Sequence, residues 1–99
     1  MTDYGKTVRR HRRLVILRFL ADCDGYSANA SIIRDVANGM GIGSTVDQVT
    51  TELAWLKEQG LIGLEDLGSV LLATATARGV EIAEGLASHP DIQRPSPRP

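Results

Sequence analysis

At Gly60 the hydrophobic period of this chain changes, and no other feature limits the available folds so strongly. Upstream, apolar residues recur at helical spacing in three separate stretches; downstream they alternate. The stretch just before the change opens with Ser44-Thr45-Val46-Asp47, an S-x-x-D pattern that predicts a capping box. Asp47 there also suits the positive end of a helix dipole. Val46, Val49, Leu53 and Leu56 form the apolar stripe of this third helix, and Gly60 supplies its stop. Residues 61–66 and 70–74 then read as strands joined around Gly68-Ser69, a hairpin signal.

Two helices precede that unit and one follows it. The first spans about Lys6 to Asp22, with Ile16, Leu17, Leu20 and Ala21 on one face. Val15 and Phe19 make a second apolar face more than about 90° away, which a single-stripe helix would not need. That second face predicts a homodimer through the first and last helices, with Val15 and Phe19 at its interface. After a turn at 24–27, a second helix starts near Ser27 or Asn29 and ends near Gly39, burying Ile32, Ile33, Val36, Ala37 and Met40. Thr76 caps a last helix through about Ala87 that buries Val80, Ile82, Ala83 and Leu86. All four prolines fall between His89 and Pro99, so residues 1–88 are expected to form one domain and 89–99 a disordered tail.

Helix, helix, glycine turn, helix, hairpin, helix is the order of a winged helix-turn-helix: mainly α with a small β-hairpin. In that motif the second helix of the pair enters the major groove of DNA. Charge is distributed unevenly along the chain. Lys6, Arg9, Arg10, Arg12, Arg13 and Arg18 stand against Asp3 in the first 20 residues, whereas the remainder carries five bases and eleven acids. A basic arm on an acidic body suggests an anionic partner at one end, and double-stranded DNA is the first candidate. Arg9, Arg12 and Arg13 would meet phosphates; Ser44, Thr45, Gln48 and Thr51 would offer polar contacts to phosphates or base edges. The same arginines also fit a plain solvated helix end. Against DNA stands the third helix itself, with Lys57 alone against Asp47, Glu52 and Glu58, and a wing that carries Glu65 and Asp66 and no base. A winged-helix module that holds a protein partner is therefore the competing reading. Trp55 is either an exposed anchor for such a partner or a side chain packed beneath the first helix or the wing.

Other chemistries find little support. Cys23 is alone, which leaves no disulfide and no thiolate cage, and His11 and His89 fall in no zinc-ligand spacing. Neither histidine makes a hydrolase triad with Ser and Asp, and the Gly39/Gly41/Gly43 run lacks the strand and the Gly-Lys-Ser/Thr of a phosphate loop. No enzyme activity, catalytic residue, metal or cofactor is expected. No apolar run approaches the roughly 20 residues of a membrane span, and no signal peptide is read. The expected location is the cytoplasm.

The segment Leu53-Ala54-Trp55-Leu56-Lys57-Glu58-Gln59-Gly60-Leu61-Ile62 resembles the helix-to-wing junction of small bacterial winged-helix regulators. Thr76-Ala77-Arg78-Gly79 through Ala83 is similar to their entry to the last helix. From about residue 7 to 98, including the ending His89-Pro90-Asp91-Ile92-Gln93-Arg94-Pro95, the chain resembles small proteins of Mu-like phages and prophages labelled ArsR-like transcriptional regulators. The resemblance implies a winged-helix DNA-binding regulator. Metal sensing does not carry over, because the paired cysteines or His/carboxylate clusters it needs are missing.

Overall fold

The computed structural model describes residues 3–96. Among them are four α-helices and a three-stranded antiparallel sheet. Asp3 caps α1 (Tyr4–Asp22) by accepting from the Lys6 amide. A 3-10 turn at Asp24–Tyr26 leads into β1 (Ser27–Asn29), a strand the alternation rule does not predict, since three residues display no period. Its evidence is in the pairing: Ser27 to Asn29 lie opposite Thr74 to Leu72, and the Ser27 and Thr74 hydroxyls are 2.6 Å apart. Asn29 then caps α2 (Ala30–Gly39) through the Ile32 amide.

The capping box of α3 (Val46–Glu58) sits one residue later than the S-x-x-D reading. Thr45 is the cap: its hydroxyl accepts from the Gln48 amide at 3.1 Å, and Gln48 Oε1 accepts from the Thr45 amide at 2.9 Å. Ser44 is drawn away from capping by other partners, described below. α3 closes on Gly60, whose φ of 74° lets the Leu61 amide donate back to Leu56 and the Gly60 amide to Lys57. The same pair of bonds ends α2 at Gly41-Ile42 and α4 (Ala77–Ala83) at Gly85-Leu86. One ending serves three helices.

β2 (Ile62–Asp66) and β3 (Leu71–Ala75) form the hairpin, one residue later than expected at each start, and β3 lies between β1 and β2. The core is Ile16, Leu17 and Leu20 of α1, Ile33 of α2, Val49, Leu53 and Leu56 of α3, Leu61, Ile62 and Ala73 of the hairpin, and Ile82 of α4. Gly79 permits the close docking of α4, for a Cβ there would collide with the Leu61 carbonyl.

Several expected core positions are exposed instead. Ile32 and Met40 lie off the Ile33–Ala37 line that α2 buries, Val46 occupies the first turn of α3, and Leu86 falls past the end of an α4 that stops at Ala83. The larger departure is the tail. Ile92 is 1% exposed within the core, and the Gln93 amide donates to the Arg10 carbonyl of α1. Residues 89–96 thus belong to the folded body, because one aliphatic side chain among the prolines has a core site to fill. Residues 97–99 of the expected disordered tail lie outside the described residues.

Candidate interaction surface

The arginines that open α1 divide into two groups. Arg12 is 3% exposed; its Nε donates to Ser44 Oγ at 2.8 Å and its guanidinium donates to the Gly43 carbonyl at 3.0 Å. Arg13 donates to Glu52 Oε1 at 3.0 Å and to the Asp91 carbonyl at 2.9 Å, and its guanidinium lies 3.8 Å from the centre of the Trp55 ring. Glu52 is 3% exposed, with Oε2 3.9 Å from Arg12. These three charges form a buried network that ties α1 to α3, to the turn before it and to the tail. Arg12 and Arg13 are therefore not a phosphate-contacting arm: each donates two hydrogen bonds inside the fold and pairs with Glu52. Arg9, expected beside them, is exposed.

The polar residues expected at the α3 end are also engaged. Ser44 Oγ accepts from Arg12 and donates to the Ile42 carbonyl, while its amide donates to Asn38 Oδ1. Thr45 and Gln48 hold the capping box, and Thr51 alone of the set is exposed with no such engagement. Trp55 is half-buried, covered by Arg13 and by the His89 ring, whose edge meets it at 5.1 Å between centroids. His89 Nε2 lies 3.1 Å from Gln59 Oε1. The packing reading of Trp55 thus holds for its α1 neighbour, with the tail rather than the wing as the other cover. The buried network was accessible to the sequence in one respect. Arg12, Ile16 and Leu20 are four apart on one helix line, and Glu52 adjoins Leu53 and Leu56 on the wheel.

What α3 presents to solvent carries two acids, Asp47 and Glu58, and one base, Lys57. Asp47, Ala54 and Glu58 run along the centre of its outward face at seven- and four-residue steps, flanked by Thr50 and Thr51. Next to it, a cleft between the starts of α2 and α3 and the hairpin is lined by Ala30, Val46, Thr50, Asp66, Val70 and Leu71. Val46 is about half exposed there, at 52%. Glu65 and Asp66 add two carboxylates on β2, and Arg34 of α2 is paired with its neighbour Asp35 at 3.2 Å. The surface is a cleft of mixed lining, with Val46, Val70 and Leu71 beside polar Asn29, Ser31 and Ser69 and the carboxylate of Asp66.

The expected dimer residues Val15 and Phe19 are half-buried and line a separate groove on the other side of α1, with Val36, Met40 and Ile42. Desolvation, with Asp22 and Asp24 beside it, pushes the Cys23 thiol up from its ordinary value. Among the described residues no group of His, Cys, Asp and Glu could hold a metal ion, and no helix is long and apolar enough to cross a membrane.

Comparison with known proteins agrees with the phage resemblance in the sequence. The chain is 42% identical over 87 residues to a protein of Escherichia phage Mu, uncharacterized protein gp26, covering 88% of this chain and 90% of that one. It is 40% identical over 77 residues to an uncharacterized protein of Haemophilus influenzae, covering 77% of this chain and 74% of that one. No protein-family model and no solved structure matches. With that identity over nearly the whole of both chains, the protein belongs to the family of phage Mu gp26.

Proposed function

We propose that this chain is a winged-helix domain whose α3–hairpin face holds a cationic segment of a protein partner. The winged-helix assignment is supported by the order of elements, with α2 and α3 joined by the Gly39–Gly43 turn and a hairpin directly after α3. The observation that carries the function is the row Asp47–Ala54–Glu58 at the centre of the outward face of α3. In the helix-turn-helix mode that line faces the major groove, between two backbones bearing one negative charge per about 1.7 Å of axis. Two carboxylates there repel phosphates, and Glu65 and Asp66 on the hairpin repeat the sign. For a Lys- or Arg-rich segment with apolar side chains the same features are complementary: carboxylates at the margin, and Val46, Val70 and Leu71 as the floor.

Double-stranded DNA, and with it a regulator of transcription, is the second reading. One observation favours it. Lys6 and Arg9 are exposed on the free end of α1, and Arg9 shares a cleft with Asp47, Gln48 and Thr51 at the start of α3. An amide NMR titration separates the two. The probes are a random-sequence duplex at low salt and a synthetic amphipathic peptide of alternating Lys and Leu. The docking reading expects the peptide to shift the amides of Asp47, Ala54 and Glu58, and Asp47→Lys with Glu58→Lys to abolish the shifts. Shifts of the same amides by the duplex, with salt-dependent affinity, would overturn it in favour of DNA.

A further inference from the structure

β2 is an outer strand of the sheet, with β3 on one side and no strand on the other. Two hydrogen bonds at the ends of the hairpin show which of its backbone groups face that free side. The Thr76 amide donates to the Leu61 carbonyl at 3.0 Å, and the Leu67 amide donates to the Val70 carbonyl at 2.8 Å. Antiparallel pairs alternate between bonded and non-bonded, so Gly63 and Glu65 bond to β3, while the amides and carbonyls of Ile62, Leu64 and Asp66 point outward. Edges of this kind are commonly closed to further strands by lysine, proline or a bulge. β2 has no lysine or proline, its pairing with β3 runs without a bulge, and a Cβ at Gly63 would meet nothing within 4 Å.

We propose that the cationic segment of the partner adds to β2 as a further, antiparallel strand. This rests on the docking reading above and names the form in which the segment is held. Charge and alternation select the occupant. Residues 61–77 contain Glu65 and Asp66 and no Lys, Arg or His. A second copy of β2 would bring two carboxylates from each chain to one seam, whereas a basic segment meets its opposite. Ile62 and Leu64 lie on the core face of β2, one buried and the other half-buried, while Gly63 and Glu65 are exposed on the solvent face. Residues directly across a ladder share a face. An apolar residue of the segment therefore lies opposite Leu64 and completes its cover. The basic residues on either side of it lie opposite Glu65 and over the open space at Gly63. The pattern recognised is basic, apolar, basic. Main-chain bonds to Leu64 hold any extended segment, and the two faces of β2 supply the choice between segments.

Amide hydrogen exchange on the full chain, with and without a short peptide of alternating Lys and Leu, tests it. The outward Leu64 amide should exchange about tenfold more slowly with the peptide bound. Glu65→Lys, a change at an exposed position, should weaken binding about tenfold. Two N-methylated peptides of unchanged charge read the main-chain bonds themselves. In the antiparallel register the leucine amides face β2 and the lysine amides face away, so methylating the leucine amides should abolish binding and methylating the lysine amides should not. Binding that shifts the amides of Asp47, Ala54 and Glu58 but leaves Leu64 exchange unchanged overturns strand addition and leaves the docking reading standing. Undiminished binding by the peptide methylated on its leucines does the same. Failure of every one of these peptides to bind overturns both.

Discussion

Glu52 is the residue on which most of the interior polar chemistry converges. It answers Arg13 directly and Arg12 at 3.9 Å, and those two arginines in turn hold the turn at 43–44, the tail at Asp91 and the Trp55 ring. Removing one partner of a buried charge set leaves the others uncompensated, so Glu52→Ala should lose about 3–5 kcal/mol of stability. Arg9→Ala, at an exposed position, should stay within about 0.5 kcal/mol. Denaturant titration of both variants checks the contrast, and equal losses would mean that the charge network is not what holds α1 to α3. The usual placement of charged side chains hid this network from the sequence reading. Arginine and glutamate are assigned to the surface because burial of one alone is costly, and the rule says nothing of three that bury together. Asp47 and Glu58, which stay at the surface, were legible as acids on α3 from the start.

At the level of elements, most of the chain could be read from periodicity and caps. Asn29, Thr76 and Gly60 mark helix ends where expected, and Val49, Leu53 and Leu56 are buried. What escaped was what periodicity cannot carry. β1 is too short to alternate, and its place depends on pairing with β3, some 45 residues away in sequence. α4 ends early because Gly85 takes φ 81° and its amide turns back to Ile82, leaving Leu86 outside. The docking of α4 gives a sharp comparison. Gly79→Ala should destabilise by about 1–3 kcal/mol or more, since the added methyl meets the Leu61 backbone rather than a movable side chain. Gly63→Ala, with open space around the added methyl, should change stability little. Thermal unfolding of the pair measures the difference; a Gly79→Ala protein melting with wild type would show that α4 does not sit this close.

For the whole molecule, the proline-rich end is the part whose role changed most between sequence and structure. Composition places it outside the domain, yet it supplies Ile92 to the core, a carbonyl to Arg13 and an imidazole to Trp55. A chain ending at Ser88 should therefore lose about 2–5 kcal/mol, the range for emptying one buried aliphatic site. Its Trp55 emission should shift to the red as Arg13 loses its tail anchor and His89 is gone. Unchanged stability and emission in the truncated chain would restore the tail to the dispensable segment that composition suggests.

The position of Ile92 also bears on how the molecule comes into being. α1 must wait for Ile92 and Gln93 to be made before its contact at Arg10 and its share of the core are complete. Folding of the body consequently follows the synthesis of residue 93 rather than proceeding helix by helix. A nonsense codon just ahead of residue 92 would yield a polypeptide lacking a structural part of the core.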